Sequence, residues 1–276
     1  MIDHRTIERL VGSALSEDAP WGDITTEALV PADAQARAEL SARELGTFSG
    51  VQLLTTTFAL VDPTVTVELH IADGEAFDKG QSLATIEGSA RSILRAERIA
   101  LNFVQRMSGI ATQTARYVAA ANGTRIADTR KTTPGLRLLE RQAVRDGGGH
   151  NHRSSLSDAI LVKDNHLAAV GADITTALRA MRERVPHTTH IEVEVDRMDQ
   201  IEPVLAAGVD TIMLDNFSIE ELREGVALVN GRALVDASGG ITLETIPEVA
   251  ATGVDLISVG ALTHSVRALD LGLDFH

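Results

Sequence analysis

Ala159-Ile160-Leu161-Val162-Lys163-Asp164-Asn165-His166 is a short apolar run that stops abruptly at four polar, chemically able side chains. Five other segments of the second half repeat the pattern. Ile126-Ala127 runs into Asp128-Thr129-Arg130-Lys131, and residues 191–195 carry Glu192 and Glu194 and then Asp196. Residues 211–214 end at Asp215-Asn216, residues 233–235 at Asp236-Ala237-Ser238-Gly239-Gly240, and residues 256–259 at Gly260-Ala261-Leu262-Thr263-His264. Core strands with reactive groups only at their C-terminal ends are how an α/β barrel builds an active site. Each interval between strands has room for a helix, so the sheet is expected to be parallel. Six strands fall short of eight. The barrel is therefore expected to be incomplete, or to hide a strand in 144–152.

The first half reads differently. Ile7, Leu10, Val11, Ala14 and Leu15 share one face of a helix over 5–16. Val65, Val67, Leu69 and Ile71 alternate as in a half-buried strand, and residues 82–86 make a partner for it across the turn signals Asp73-Gly74 and Lys79-Gly80. Ser89 can cap a long helix to about Met107, which Ser108-Gly109 is expected to interrupt before it resumes to about Ala121. Pro134 suits a first helical position, and Gly147 a helix end. The expected fold class is α/β. A smaller N-terminal α/β sandwich domain over 1–110 precedes an incomplete (β/α) barrel over 111–276, whose last residues can pack back on the first domain.

Composition narrows the function. A chain of 276 residues can bury one barrel and a small companion. It has no apolar run long enough to span a membrane and no cysteine, and its start, Met1-Ile2-Asp3-His4-Arg5, has no apolar stretch of the signal-peptide kind. A cytoplasmic chain is expected. A net charge of −14 argues against nucleic acid as a partner. Within this acidic chain, residues 125–163 carry eight cations against four anions. A local cationic pocket suits a small anionic ligand, although Arg137, Arg141 and Arg145 are equally well read as a solvated helix stripe.

The strand ends carry the chemistry. Lys163 can form a Schiff base, hold a phosphate or pair with a carboxylate. Arg130 and Lys131 are adjacent, and on an extended chain they would point to opposite sides. Glu194, Asp215 and Asp236 are carboxylates on three successive strands, able to hold Mg²⁺, bind sugar hydroxyls or act as bases. Glu192 has the parity of Glu194 and should face the interior one layer lower. Ser238-Gly239-Gly240 and Gly260-Ala261 precede expected helices, where backbone N–H groups can approach a phosphate. His150-Asn151-His152 could also be a metal pair, but His190 precedes its strand and His264 comes well after its own. Arg91, Arg95 and Arg98 share one face of the long helix and read as a solvated stripe.

Taken together, these segments resemble the quinolinate phosphoribosyltransferase family. The matching pieces are Asp128-Thr129-Arg130-Lys131-Thr132, Pro134-Gly135-Leu136-Arg137, Gly147-Gly148-Gly149, Asn151-His152-Arg153, Leu156-Ser157-Asp158-Ala159-Ile160, Lys163-Asp164-Asn165-His166, Glu192-Val193-Glu194-Val195, Leu214-Asp215-Asn216-Phe217, Ser238-Gly239-Gly240 and Val259-Gly260-Ala261-Leu262-Thr263. Ala96-Glu97-Arg98, Leu101-Asn102, Ser108-Gly109 and Asp23-Ile24-Thr25 extend the match to the first half. The resemblance implies transfer of a phosphoribosyl group from phosphoribosyl pyrophosphate to quinolinate with decarboxylation. The products would be nicotinate mononucleotide, pyrophosphate and CO2, in de novo NAD biosynthesis, with Mg²⁺ as cofactor.

It implies Lys131, Lys163, Glu194 and Asp215 as catalytic residues. Arg98, Arg130, His152, Arg153 and Lys163 would surround quinolinate, with Arg98 supplied to the neighbouring subunit of a homodimer or higher even oligomer. Lys131, Glu194, Asp215, Ser238, Gly239, Gly260 and Ala261 would hold the phosphoribosyl group, and Glu194 and Asp215 the metal, directly or through water. The sequence departs from the family pattern at Thr133, Arg141-Gln142, Ser154-Ser155 and Asp236. Other readings are a molybdate-locus homologue of the same fold, another phosphoribosyl-binding barrel, a non-catalytic donor-binding protein and a Lys163 Schiff-base aldolase.

Overall fold

A computed structural model describes residues 2–170 and 173–276. The strands are β1 (Gln35–Ala42), β2 (Gly46–Thr47), β3 (Thr66–Leu69), β4 (Ala76–Phe77), β5 (Ser82–Ser89), β6 (Arg125–Ala127), β7 (Ile160–Val162), β8 (Ile191–Val195), β9 (Thr211–Asp215), β10 (Leu234–Ser238), β11 (Leu256–Ser258) and β12 (Leu271–Phe275). They divide between two compact units. The first comprises 1–115, 133–148 and 265–276; the second comprises 116–132 and 149–264. The chain passes between these units more than once, and its last residues belong to the first.

In the first unit, an antiparallel sheet runs in the order β12-β1-β5-β3. Ala38, Leu40 and Ala42 are buried at alternate positions of β1, as period-two geometry requires of one sheet face. The long helix Ala90–Ala120 buries Ile93, Ala96, Ala100 and Val104 in the same apolar cluster as Phe48, Leu54, Phe58, Leu83 and Ile86. Each large side chain so buried contributes about 1.5–3 kcal/mol. β12 pairs with β1 from Ala38↔Phe275 to Ala42↔Leu271.

Ser108-Gly109 does not break the long helix. Ser108 is buried, with its hydroxyl bonded to the Ser49 backbone, and a Cβ on Gly109 would lie 2.3 Å from the Arg267 carbonyl oxygen. The pair serves close packing. Nor is Pro134 a first helical residue: the helix is Arg137–Asp146, preceded by a turn closed by Leu136 N–H to the Thr133 carbonyl. Glu140 of that helix is fully buried and accepts from Thr133 N–H, Thr133 Oγ1 and Arg106. Thr133, where the sequence departs from the family pattern, therefore belongs to a satisfied buried network.

The second unit holds a six-stranded sheet in the order β6-β11-β10-β9-β8-β7, every pair parallel. The segment 144–152 yields only a one-residue bridge from His150 to Ala127, so the barrel is incomplete. Along its strands one parity is apolar: Ile191, Val193 and Val195; Ile212 and Leu214; Val235 and Ala237, all buried. The other parity carries Glu192 and Glu194, Met213 and Asp215, Asp236 and Ser238. A parallel sheet with an apolar outer face and a polar inner one is what positions the site.

Candidate active site

The C-terminal ends of these strands enclose a cavity of roughly 350 Å³ lined by Thr129, Arg130, Lys131, His152, Arg153, Leu161, Lys163, Glu194, Met213, Asp215 and Ser238. Eight residues expected from the sequence thus meet in one place: Arg130, Lys131, His152, Arg153, Lys163, Glu194, Asp215 and Ser238. Gly239, Gly260 and Ala261 stand beside it without lining it, and Arg98 is an exposed residue of the first unit. Thr129 of the same strand end, Leu161 and Met213 line it as well. Strand parity could have found the last two, since each lies two residues from, or in register with, an interior carboxylate.

Arg130 and Lys131 do not diverge as they would on an extended chain. Thr132 N–H bonds the Arg130 carbonyl and Lys131 N–H bonds Thr129 Oγ1, so the chain bends and both cations reach the cavity. Thr263 Oγ1 donates to the Lys131 carbonyl at 2.8 Å and fixes that bend. Lys163 sits where β7 passes into the helix Asp164–Val170. Its N–H donates to His166 Nδ1 while its carbonyl accepts from the N–H groups of His166 and Leu167. The motif is therefore a helix start that holds the Lys163 backbone. Lys163 Nζ pairs with Glu194.

Electrostatics favour an anionic ligand. Four cations, Arg130, Lys131, Arg153 and Lys163, face two carboxylates, Glu194 and Asp215. Burial first, and then the nearby Arg130 charge, pull the Arg153 guanidinium below its ordinary pKa. Arg130 Nε is buried with no protein partner. A buried donor left unsatisfied costs about 1–3 kcal/mol, more when charged, and an anion between the two arginines would relieve both penalties.

The carboxylates fall into two layers. Glu194 and Asp215 reach the cavity. Asp215 accepts from Asn216 Nδ2 at 2.8 Å, and Asn216 adopts a left-handed φ of 60° with its N–H on the Ser238 carbonyl. A Cβ on Gly239 would come within 2.2 Å of Asn216 Oδ1, so this contact admits only glycine. Asp236 is not a mouth carboxylate. β10 continues to Ser238, which leaves Asp236 mid-strand and fully buried, accepting from Ser258 N–H at 3.0 Å and Ser258 Oγ–H at 2.6 Å. Burial, and then the charge of Glu192, push Asp236 well above the ordinary carboxylate range. Glu192 lies in the same lower layer, and its Oε2 is 2.7 Å from His152 Nε2.

Two groups have metal-ligand chemistry. Glu194 and Asp215 offer hard carboxylate oxygens at the cavity wall, which suits Mg²⁺. His152, Glu192 and Asp236 place ligand atoms within 4.8 Å of one another below it. The expected phosphate loops are corrected in one respect. The helix after Gly260 is only Ala261–His264, and the one after Gly240 is Ile246–Ala250. Helices this short have little dipole, so these loops offer backbone N–H groups and glycine clearance instead. No helix among the described residues is long and apolar enough to cross a membrane.

Comparison with known proteins gives one family. The model for the quinolinate phosphoribosyl transferase N-terminal domain matches residues 23–108, and that for its C-terminal domain matches 110–274. A nicotinate-nucleotide pyrophosphorylase [carboxylating] of Mycobacterium leprae is 46% identical over 272 residues, covering 95% of this chain and 94% of that protein. A probable nicotinate-nucleotide pyrophosphorylase [carboxylating] of Bacillus subtilis is 42% identical over 99% of this chain and 94% of that one. Among solved structures, the nicotinate-nucleotide pyrophosphorylase of Francisella tularensis superposes with a TM-score of 0.94 at 36% identity, covering 100% of this chain and 98% of that one.

Proposed function

The chain belongs to the quinolinate phosphoribosyltransferase family, and we propose that its reaction runs in the second unit's cavity with the residues in the roles that follow. The enzyme transfers the phosphoribosyl group of phosphoribosyl pyrophosphate to quinolinate in NAD biosynthesis. The ring nitrogen forms a bond to the anomeric carbon as the bond to pyrophosphate breaks. The carboxylate beside the nitrogen leaves as CO2, and its electron pair stays on the ring carbon, which takes up a proton. The observation that carries the residue assignment is the meeting of four cations and two carboxylates at the strand ends of one cavity.

Arg130, Arg153 and Lys163 hold the two carboxylates of quinolinate, a dianion that matches the excess of positive charge. His152 closes the same wall. Lys131 lies toward the departing pyrophosphate. As that group leaves, positive charge grows at the anomeric carbon, and the fixed carboxylates Glu194 and Asp215 stabilise it. Ser238, Gly239, Gly260 and Ala261 receive the 5′-phosphate with backbone N–H groups. Mg²⁺ would be held by Glu194 and Asp215, directly or through water, and when bound would neutralise charge on the pyrophosphate. The Glu194–Lys163 pair then serves two ends, since Lys163 is drawn toward quinolinate as Glu194 is drawn toward the donor.

Arg98 serves quinolinate in the partner's site of a cytoplasmic homodimer or higher even oligomer. Its exposure supports this, as does the exposure of Trp21, Ile24 and Leu29, large apolar residues of the same unit. Mixing Arg98→Ala and Lys163→Ala subunits, each nearly inactive, should restore about a quarter of normal activity through one intact site in half of the dimers. Verified exchange without recovery places Arg98 outside a shared site.

Incubation with quinolinate, phosphoribosyl pyrophosphate and Mg²⁺ should yield nicotinate mononucleotide with equal pyrophosphate and CO2. Nicotinate in place of quinolinate should react far more slowly. Equal turnover of nicotinate would sink the dianion assignment, and donor binding without pyrophosphate release would make the chain a binding protein.

A further inference from the structure

Below the cavity, a line of adjoining buried polar groups leads from β11 to a cation that lines the cavity. Ser258 donates to Asp236 through its N–H and its hydroxyl. Asp236 lies beside Glu192, and Glu192 Oε2 is 2.7 Å from His152 Nε2. His152 Nδ1 in turn accepts the backbone N–H of Arg153 at 2.7 Å. A ring whose Nδ1 accepts must carry its proton on Nε2, which is the nitrogen that faces Glu192. A second buried carboxylate holds the same turn: Asp128 accepts His152 N–H at 2.7 Å and Asn151 Nδ2 at 2.6 Å. Both nitrogens of His152 are therefore engaged by the protein, while its neighbour Arg153 lines the cavity and donates Nη1 to the Ala159 carbonyl.

We propose that Glu192 and Asp236 are positioning residues that act through the His152 ring to set the backbone at 152–153, and with it the Arg153 guanidinium that receives quinolinate. The inference rests on the quinolinate site assigned above and adds a layer that touches no substrate. The geometry supplies the reason for a lower carboxylate layer. A guanidinium that must meet a carboxylate bidentately tolerates little misorientation. Its own side chain is long, so precision has to come from the backbone that carries it. A donor ring fixed at both nitrogens transmits that precision from rigid mid-strand positions to a loop residue.

Steady-state kinetics on the full-length enzyme test it. Glu192→Leu should raise the KM for quinolinate at least tenfold while the KM for phosphoribosyl pyrophosphate stays within twofold. Glu192→Gln, which keeps an acceptor for Nε2–H, should recover most of the loss. Added to His152→Ala, Glu192→Leu should cost less than a further twofold. A quinolinate KM unmoved by Glu192→Leu overturns the proposal, as do two KM values that rise together or factors that multiply fully in the double variant.

Should Glu192→Leu not fold, a second cycle decides. His152→Phe keeps the ring's volume and loses both hydrogen bonds, so its effect and that of Arg153→Ala should overlap rather than multiply. Full multiplication would mean that His152 meets the substrate itself. A stoichiometric metal in the purified enzyme, lost from Glu192→Gln, would make these residues a metal site and overturn the positioning role. If the unaltered enzyme forms no nicotinate mononucleotide from quinolinate, the functional assignment fails; if it does and the cycles are additive, only the positioning role fails.

Discussion

Glu192 and Glu194 sit two residues apart on β8 and point into the same interior, yet they meet different worlds. Glu194 reaches the cavity and pairs with Lys163; Glu192 is buried against His152 and Asp236. One strand step of two residues, about 6.5–7 Å, separates a carboxylate that lines the cavity from one buried beneath it. A polar barrel interior is thus layered: the outer layer lines the cavity, and the inner layer is enclosed among protein groups, with Glu192 Oε1 buried and unbonded.

The contrast is broken most forcefully in the outer layer. Lys163→Ala should lower kcat/KM about a hundredfold, since a lost charge-assisted contact costs about 1.5–3 kcal/mol or more. The melting temperature should move little, because Lys163 is partly exposed. A variant that melts early but turns over normally would reverse the roles of the layers.

Glu194→Gln and Asp215→Asn should each cost about tenfold in donor use and shift the Mg²⁺ dependence, leaving the quinolinate KM within twofold. Unchanged metal dependence in both would remove the metal from the outer layer. Gly239→Ala is the subtler disturbance. A Cβ there strikes Asn216, and the residue already holds φ +93°, so Asp215 loses its orienting amide. We expect a several-fold rise in donor KM together with a stability loss of about 1–3 kcal/mol. Wild-type donor kinetics in this variant would separate Asn216 from the site.

The smallest effect distinguishes the inner layer by pH. Asp236 is raised in the folded state, so folding takes up a proton. Its stabilising contribution is therefore complete below the unfolded carboxylate pKa and is lost as pH rises toward the folded value. Asp236→Asn should remove that part of the decline, and melting curves from mildly acid to mildly alkaline pH should run flatter than those of the unaltered enzyme. A parallel pair of curves would mean that Asp236 stays ionised.

Where sequence and structure part, the reason is geometric. The interior face of Glu192 was legible because strand parity is local and strict. In the sequence Asp236 reads as a mouth residue because the apolar run stops at Val235, while β10 continues through Ser238 on hydrogen bonds to β9, which no hydropathy pattern reports. Arg130 and Lys131 converge through a bend held by Thr129 and Thr263, the latter from the far end of the second unit's chain. Ser108-Gly109 carries a break signal that close backbone approach converts into packing.

By itself the sequence determined the parallel α/β architecture, the polar strand ends and the residues that bring charge there. Those depend on periodicity and on side-chain chemistry, both properties of neighbours in the chain. Only the tertiary structure decided which carboxylates line the cavity and which are buried beneath it. It also decided that His152 turns both nitrogens inward, and that cations from separate strand ends share one cavity. Burial and partner choice arise between segments distant in sequence, and the free energy of a buried charge is set by what the fold packs around it.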